Sequence, residues 1–506
     1  MSRPDGSLPL WRKLLRLLGI LLTLLVLGMI SRFLWMTRDR HPGYRADLHI
    51  PAPADPKPLR AGFGQRDITP DVSDPSKPVW LAGFSQGRSA TNVHDPLMAV
   101  AIALDDGHHR LAVVSIDSIG IFHDDVVRLR KSLPAELRLD HVTLCSTHNH
   151  STPDLMGLWG PDVLHSGIDP EYRNRVLRDA AAAIADAVKS LQEVRMAAHE
   201  IRTAPEGLVT DTRKPEVYDA DLRVLHFTSV ADGKTVGTVV GWGNHPETPW
   251  AGNRDITADF PGVIRESLGS GIRYSGTVRK AGLGGIHLFV NGAVGGLMTT
   301  HPSVTVRDPF LGEDFKTPSH DKTRALGNRL AAKILDHIAT HSVPAVATAA
   351  LGIEARTLDL PLANKGFLVA GFLGLLDRGH SGFMKMRSEI GLLRIGEVSV
   401  ALIPGEIYPE IVNGGIVRTD GGDFGIEPLE VPPIREFLPG KVKFVFGLAN
   451  DEIGYIIPKS EWDTVAPFNY GAKGAPYGEV NSVGPETARI LHSALRELSA
   501  AASGKP

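Results

Sequence analysis

Two histidines one residue apart, His148 and His150, follow a strand-like run from His141 to Ser146 and precede Ser151, Thr152 and Pro153. Strand side chains alternate, so a His-x-His pair at a strand end presents both imidazoles to one face. Neutral imidazole is the commonest zinc ligand, and a catalytic zinc takes three protein ligands and a water. The same pair also reads as two polar strand-end histidines with no metal. A third histidine, His245, comes as the run Thr235 to Trp242 gives out, and Glu406 stands in Pro404-Gly405-Glu406 after a hairpin about Gly396-Glu397. Two histidines and a carboxylate make a common catalytic zinc set. Their separation along the chain is long, so the fold has to bring them together.

The elements that would do so are legible. Met98 to Leu104 and Arg110 to Asp117 read as strands joined by Asp105-Asp106-Gly107, a hairpin signal. An amphipathic helix over 124–133 then leads to the strand ending before His148. Strand, helix, strand is the βαβ pattern, and ligands collect at the carboxyl ends of such strands. Helices are predicted over 172–191, 319–341 and 485–500. Strands are predicted over 195–202, 222–228, 287–291 and 441–448. The fold class is α/β with a mixed β-sheet. Gly366 to Leu376 is unusually apolar and too short to span a bilayer, which fits either core or a lipid-facing lip.

Composition bounds the remaining possibilities. The 506 residues are 42% hydrophobic and 22% charged, an ordinary globular balance. A net charge of -3 indicates no nucleic-acid partner. With a single cysteine, Cys145, no intrachain disulfide and no cysteine-based zinc site can form. Its apolar setting reads as a buried inert thiol rather than a nucleophile. Residues 14–36 are apolar apart from Arg16 and Arg32, which can snorkel near the two ends, and they follow Arg12 and Lys13, with Trp11 and Trp35 at the two interfaces. That reads as an uncleaved transmembrane anchor with its N-terminus in the cytoplasm, the rival being a cleaved signal peptide. Residues 37–59 carry five prolines and read as an extended linker. The exported domain would span 60–502, in the periplasm if the cell is bacterial.

Six stretches, in order, resemble the neutral/alkaline (non-lysosomal) ceramidase family. GFGQRDITP resembles its opening strand and turn, and STHNHSTPD its first histidine motif. Asp211-Thr212-Arg213-Lys214-Pro215 followed by DADLRVLHF resembles its arginine segment. GWGNHPETPW with ITADFPG is similar to its second histidine motif, IPGEIYPE to its glutamate motif, and ANDEIGYIIPKSEW to its tyrosine motif.

The resemblance implies a zinc (Zn2+) held by His148, His245, Glu406 and Tyr455. His150 would stand beside the metal as a catalytic group with Tyr455, Arg213 would contact the polar part of the substrate, and Tyr470 would be a second active-site tyrosine. It implies hydrolysis of an amide bond in an N-acyl, ceramide-like lipid by zinc-activated water. Met298 falls where the ceramidases carry a serine sometimes argued to be the nucleophile, with Thr299 next to it as a substrate contact. A zinc-activated water needs no such serine. The ceramidases' C-terminal immunoglobulin-like domain is expected to be absent. Alternative readings are a zinc esterase or amidase on a soluble substrate, and a metal-binding homologue without turnover. The sequence leaves the oligomeric state open.

Overall fold

A computed structural model describes residues 9–503. Its first element, α1, is a helix over Leu10–Met36 with none of its residues buried. At 1.5 Å per residue it is about 40 Å long, against about 30 Å of bilayer hydrocarbon. It is long and apolar enough to be a membrane span or a signal sequence.

The strands that follow are β1 (Leu48–Ile50), β2 (Arg60–Asp67), β3 (Met98–Asp105), β4 (Arg110–Ile116), β5 (His141–Ser146), β6 (Gln192–Ile201), β7 (Leu222–Ser229), β8 (Thr235–Trp242) and β9 (Ile286–Asn291). Then come β10 (Leu351–Pro361), β11 (Lys385–Ile395), β12 (Val398–Leu402) and β13 (Val442–Phe446). Strands β2 to β9 form an eight-stranded mixed sheet in the order β9-β8-β7-β6-β2-β3-β4-β5. The remaining strands form a five-stranded sheet in the order β1-β10-β11-β12-β13. Both edges that point toward the site are parallel pairs: β4 with β5, where Leu111 faces His141, and β8 with β9, where Trp242 faces Asn291. The expected βαβ unit is therefore present, its crossover being α2 (His123–Ser132).

The two sheets face each other across one core. Phe63, Val113 and Phe227 of the larger sheet pack against Leu351, Leu393 and Phe444 of the smaller. Helices cover the outer faces. Against β3 and β4 lies α3 (Pro170–Lys189), through Val176, Ala180 and Ile184. Against β8 and β9 lie α4 (Asp259–Ser270) and α5 (His320–Thr340). Beyond α6 (Lys365–Leu373), the closing helix α7 (Thr487–Ala502) covers the smaller sheet through Leu491 and Leu495. The result is an α/β/β/α sandwich whose alternating strand faces are both buried. Glycines allow α3 to sit close: a Cβ at Gly62 would lie 2.2 Å from the Ala187 carbonyl.

Residues 37–59 differ from the expected free linker. Leu48–Ile50 pairs antiparallel with Ile353–Ala355, Ala46 and Leu59 are buried, and Asp39 forms an ion pair with Arg387. The prolines flank a short edge strand, where a missing N–H costs no ladder bond.

Candidate metal centre

Each candidate ligand is delivered by the end of an element. β5 stops at Ser146, and the chain turns so that His148 takes φ +65°. The two imidazoles of 148 and 150 therefore meet through a turn, not through strand alternation as the spacing predicts. A non-glycine residue held at positive φ is a strained conformation typical of functional sites. Asn291, the last residue of β9, ties the strand ends together: its Nδ2 donates to the carbonyls of Thr147 (3.0 Å) and Asn244 (2.9 Å). Those residues immediately precede His148 and His245. The two histidine segments also meet directly, the His150 backbone N–H donating to the Pro246 carbonyl (3.0 Å). Glu406 and Tyr455 face each other in a short parallel pair, Glu406–Ile407 with Tyr455–Ile456.

Side chains then converge. The His245 Nε2 lies 3.0 Å from Glu406 Oε2, and the His148 Nε2 lies 3.3 Å from the same oxygen. His150 Nε2 is 3.5 Å from His148 Nε2. Among the described residues, His148, His150 and His245 form a cluster that can hold a metal ion. The hydrogen bonds on the far side of the rings decide which nitrogens are free. His148 Nδ1 donates to the Ile119 carbonyl and His245 Nδ1 to the Met298 carbonyl, each at 2.7 Å. Such outer bonds orient the rings and turn each Nε2 toward the centre. Both Nε2 atoms then face one buried carboxylate oxygen, a position for a cation: a proton, which Glu406 favours on His245 by raising its pKa against the effect of burial, or a metal ion. The donor set of nitrogens and a carboxylate suits zinc.

The electrostatics agree. Burial alone would raise the Glu406 pKa, but His148 and His245 beside it outweigh that and hold it well below the usual carboxylate range. Burial and the neighbouring imidazoles His148 and His245 push His150 well down, so it is neutral. Tyr455 is pushed well up by burial and by Glu406, which keeps its hydroxyl protonated.

Three further side chains belong to this centre and were not among the sequence candidates. Glu247 Oε2 lies 3.2 Å from His150 Nδ1. Tyr477 lines the rim of the same cleft, 57% exposed, its ring 5.9 Å from that of Tyr455, and the partial burial of its hydroxyl end and Glu406 push that hydroxyl up to about 12. Glu452 also lines the cleft, with one buried oxygen unpartnered. The signal for Glu247 was present, two residues after His245; Tyr477 had no local signal. Above the polar floor the walls are apolar: Phe122, Met156, Trp159, Phe367 and Leu376.

Arg213 and Tyr470 are placed elsewhere. Arg213 is buried against the Tyr408 ring (4.5 Å) and pairs with Glu461 at 2.9 Å and Glu479 at 3.4 Å. It lines a separate cavity with Tyr470, which is itself exposed. The second tyrosine that lines the metal cleft, beside Tyr455, is Tyr477 and not Tyr470. Arg213 is drawn away because three carboxylates, Glu410, Glu461 and Glu479, compete for its guanidinium. Thr299 is buried behind the centre, where it bridges to His245 and its side chain lies against Glu247. Met298 is fully buried among Trp242, Phe260 and Phe289, and touches the centre only through its backbone carbonyl.

The chain has the neutral ceramidase fold. A neutral ceramidase from Pseudomonas aeruginosa aligns with a TM-score of 0.64 and 18% identity, over 89% of this chain and 76% of that one. A structure of ceramidase complexed with C2 aligns with the same values. No family model and no curated protein matches the sequence.

Proposed function

We propose that this chain is a membrane-anchored, zinc-dependent hydrolase that cleaves the amide of an N-acyl, ceramide-like lipid. The observation that carries this reading is the convergence of two imidazole Nε2 atoms and the Glu406 carboxylate at the floor of an apolar-walled cleft. His148, His245 and Glu406 would hold the metal, with Tyr455 adjacent. When bound there, zinc supplies a water of lowered pKa and polarises the scissile carbonyl.

The protein's own groups supply the rest. His150 is neutral, and Glu247 sits within reach of its Nδ1. With the N–H at Nδ1, Nε2 is free to take the proton of the attacking water and later pass it to the leaving amine. Glu247 steadies the imidazolium formed in between. The protonated hydroxyls of Tyr455 and Tyr477 donate to the oxyanion that develops on the carbonyl. Phe122, Trp159 and Phe367 receive the acyl chain and exclude water. Residues 14–36 would anchor residues 60–502 on the exported side of the membrane, with 37–59 packed between them.

The test is metal analysis of the purified full chain with a panel of fluorogenic N-acyl lipids and water-soluble amides and esters. Bound zinc and cleavage of the lipid amides are expected, both lost in His148→Ala. Absence of bound metal together with undiminished activity in His148→Ala would overturn the assignment. Turnover confined to water-soluble substrates would leave the metal chemistry and reject the lipid.

A further inference from the structure

The apolar helix α6 lies where α1 meets the folded domain. Arg32 near the end of α1 donates from Nε to the Phe372 carbonyl (2.8 Å) and from Nη2 to the Leu373 carbonyl (2.5 Å). Those carbonyls belong to the last turn of α6, where a cation is favoured. Gly374 ends the helix at φ +82°, and a Cβ there would press on Arg32 and Met36. Phe33 packs edge-on against Phe383 at 6.4 Å, and Arg40 pairs with Asp377 at 2.7 Å. The segment 365–383 is thus clamped to the very turn at which α1 leaves its apolar stretch.

The exposed side of this segment is apolar. Val369 is 56% exposed, Leu373 38% and Phe383 78%. Leu34 and Trp35, beside the Arg32 and Phe33 that hold this segment, are exposed as well. The other side of α6 turns inward: Phe367 and, just beyond the helix, Leu376 line the metal cleft. Across that cleft the loop bearing Trp159 also exposes Val163 and Leu164. Contiguous exposed apolar surface marks an interaction site. Its continuity with a helix that can cross a membrane identifies the occupant as lipid, since aromatic and aliphatic side chains with flanking Arg and Lys seat at a bilayer interface.

We propose that α6 and the turn at Phe383 are an interfacial docking surface that inserts Val369, Leu373 and Phe383 into the same bilayer that α1 spans. The mouth of the metal cleft then opens on the membrane surface, so that a substrate's acyl chain passes from the bilayer along Phe367 without crossing water. This rests on α1 being a retained span and on the hydrolase reading of the cleft.

The test reads depth rather than activity. Cys145 is buried, so an introduced cysteine is the accessible thiol for labelling. Full-length Val369→Cys, Phe383→Cys, Leu21→Cys and Val278→Cys are labelled with an environment-sensitive fluorophore in phosphatidylcholine nanodiscs, with or without brominated acyl chains. Brominated lipid is expected to cost the labels at 369, 383 and 21 most of their emission, and the label at 278, on a distant hairpin, none. Quenching at 21 with none at 369 and 383 overturns the docking surface and leaves the anchor standing. No quenching at any of the four sites overturns both. Loss of hydrolysis in other assays, with quenching at 369 and 383 intact, would reject the proposed chemistry and not this surface.

Discussion

His150 Nδ1 lies 3.2 Å from the Oε2 of Glu247, a carboxylate that comes two residues after His245. One short segment thus offers a metal-facing imidazole and a carboxylate within ion-pair distance of its neighbour's ring, whose Nδ1 makes no hydrogen bond in the structure. An outer carboxylate fixes ring orientation and raises basicity, and its loss typically costs about 10–100-fold in activity or metal affinity. Glu247→Ala is expected to lower kcat/KM by that order while zinc content holds. With the negative charge gone, the His150 imidazolium is less favoured, so the acidic limb of the pH profile moves to lower pH. A drop in turnover with an unmoved limb would assign Glu247 a purely structural role.

Gly83 sets the position of the same ring from the other side. It adopts φ +78°, and a Cβ there would lie 2.4 Å from His150 Nδ1. Phe84 follows at φ +55° with its ring 5.3 Å from His150. Gly83→Ala is therefore expected to displace the imidazole and reduce turnover by about 100-fold, the usual result of a 1 Å misplacement. The loss should not add to that of His150→Ala, because both changes act on one group. Additive losses in the double variant, measured by steady-state kinetics, would place the effect of Gly83 elsewhere.

How far the sequence discloses such a centre depends on what determines each residue's place. His148, His245 and Glu406 could be singled out because each follows a strand whose apolar pattern is local, and strand ends are where sites collect; Tyr455 is marked only by the resemblance to the ceramidase family. Their convergence needed the Asn291 ties and the pairing of Glu406 with Tyr455, which no local pattern contains. Arg213 and Tyr470 went astray for the same reason: the acids that capture Arg213 lie some 200 residues or more further along the chain. The docked strand at Leu48–Ile50 was hidden because proline content dominates 37–59, while its partner β10 lies far away in sequence. The hairpin turning at Gly396-Glu397 and helices α2, α3 and α5 were legible to within a few residues, since their periodicity is set by neighbours.

Met298 bears on the chemistry through what it does not do. Its side chain is fully buried in the core between β8, β9 and α4, and its carbonyl receives the His245 Nδ1–H. Met298→Ser therefore creates a cavity rather than a nucleophile. Removal of a buried Met side chain costs about 2–5 kcal/mol, and the new hydroxyl would need a partner among apolar neighbours. The variant is expected to melt earlier and to gain no activity toward N-acyl amides. A gain in turnover would show that a hydroxyl at this position reaches the reacting carbonyl, contrary to the packing.

Below the centre, Arg130 of α2 and Glu389 of β11 form a buried bidentate pair, at 2.5 Å and 2.8 Å. Burial alone would raise the Glu389 pKa, but Arg130 outweighs it and brings the carboxyl down to about 2 from an ordinary 4.5. Burial and Arg130 together bring His141, 3.6 Å from Glu389, down to about 3. Both shifts have the same sign for stability. The unfolded chain binds more protons than the folded one at Glu389 below its ordinary pKa and at His141 below about 6.5. Stability is then fully present near neutrality and falls as pH drops, the Glu389 contribution disappearing between about 4.5 and 2. At 1.36 kcal/mol per pKa unit that contribution is about 3 kcal/mol. Glu389→Gln leaves the Arg130 charge buried without its partner, at a cost of about 3–5 kcal/mol near neutral pH. It should also flatten the acid end of the stability curve measured by chemical denaturation. An unchanged slope below pH 4.5 in that variant would move the acid sensitivity to other carboxylates.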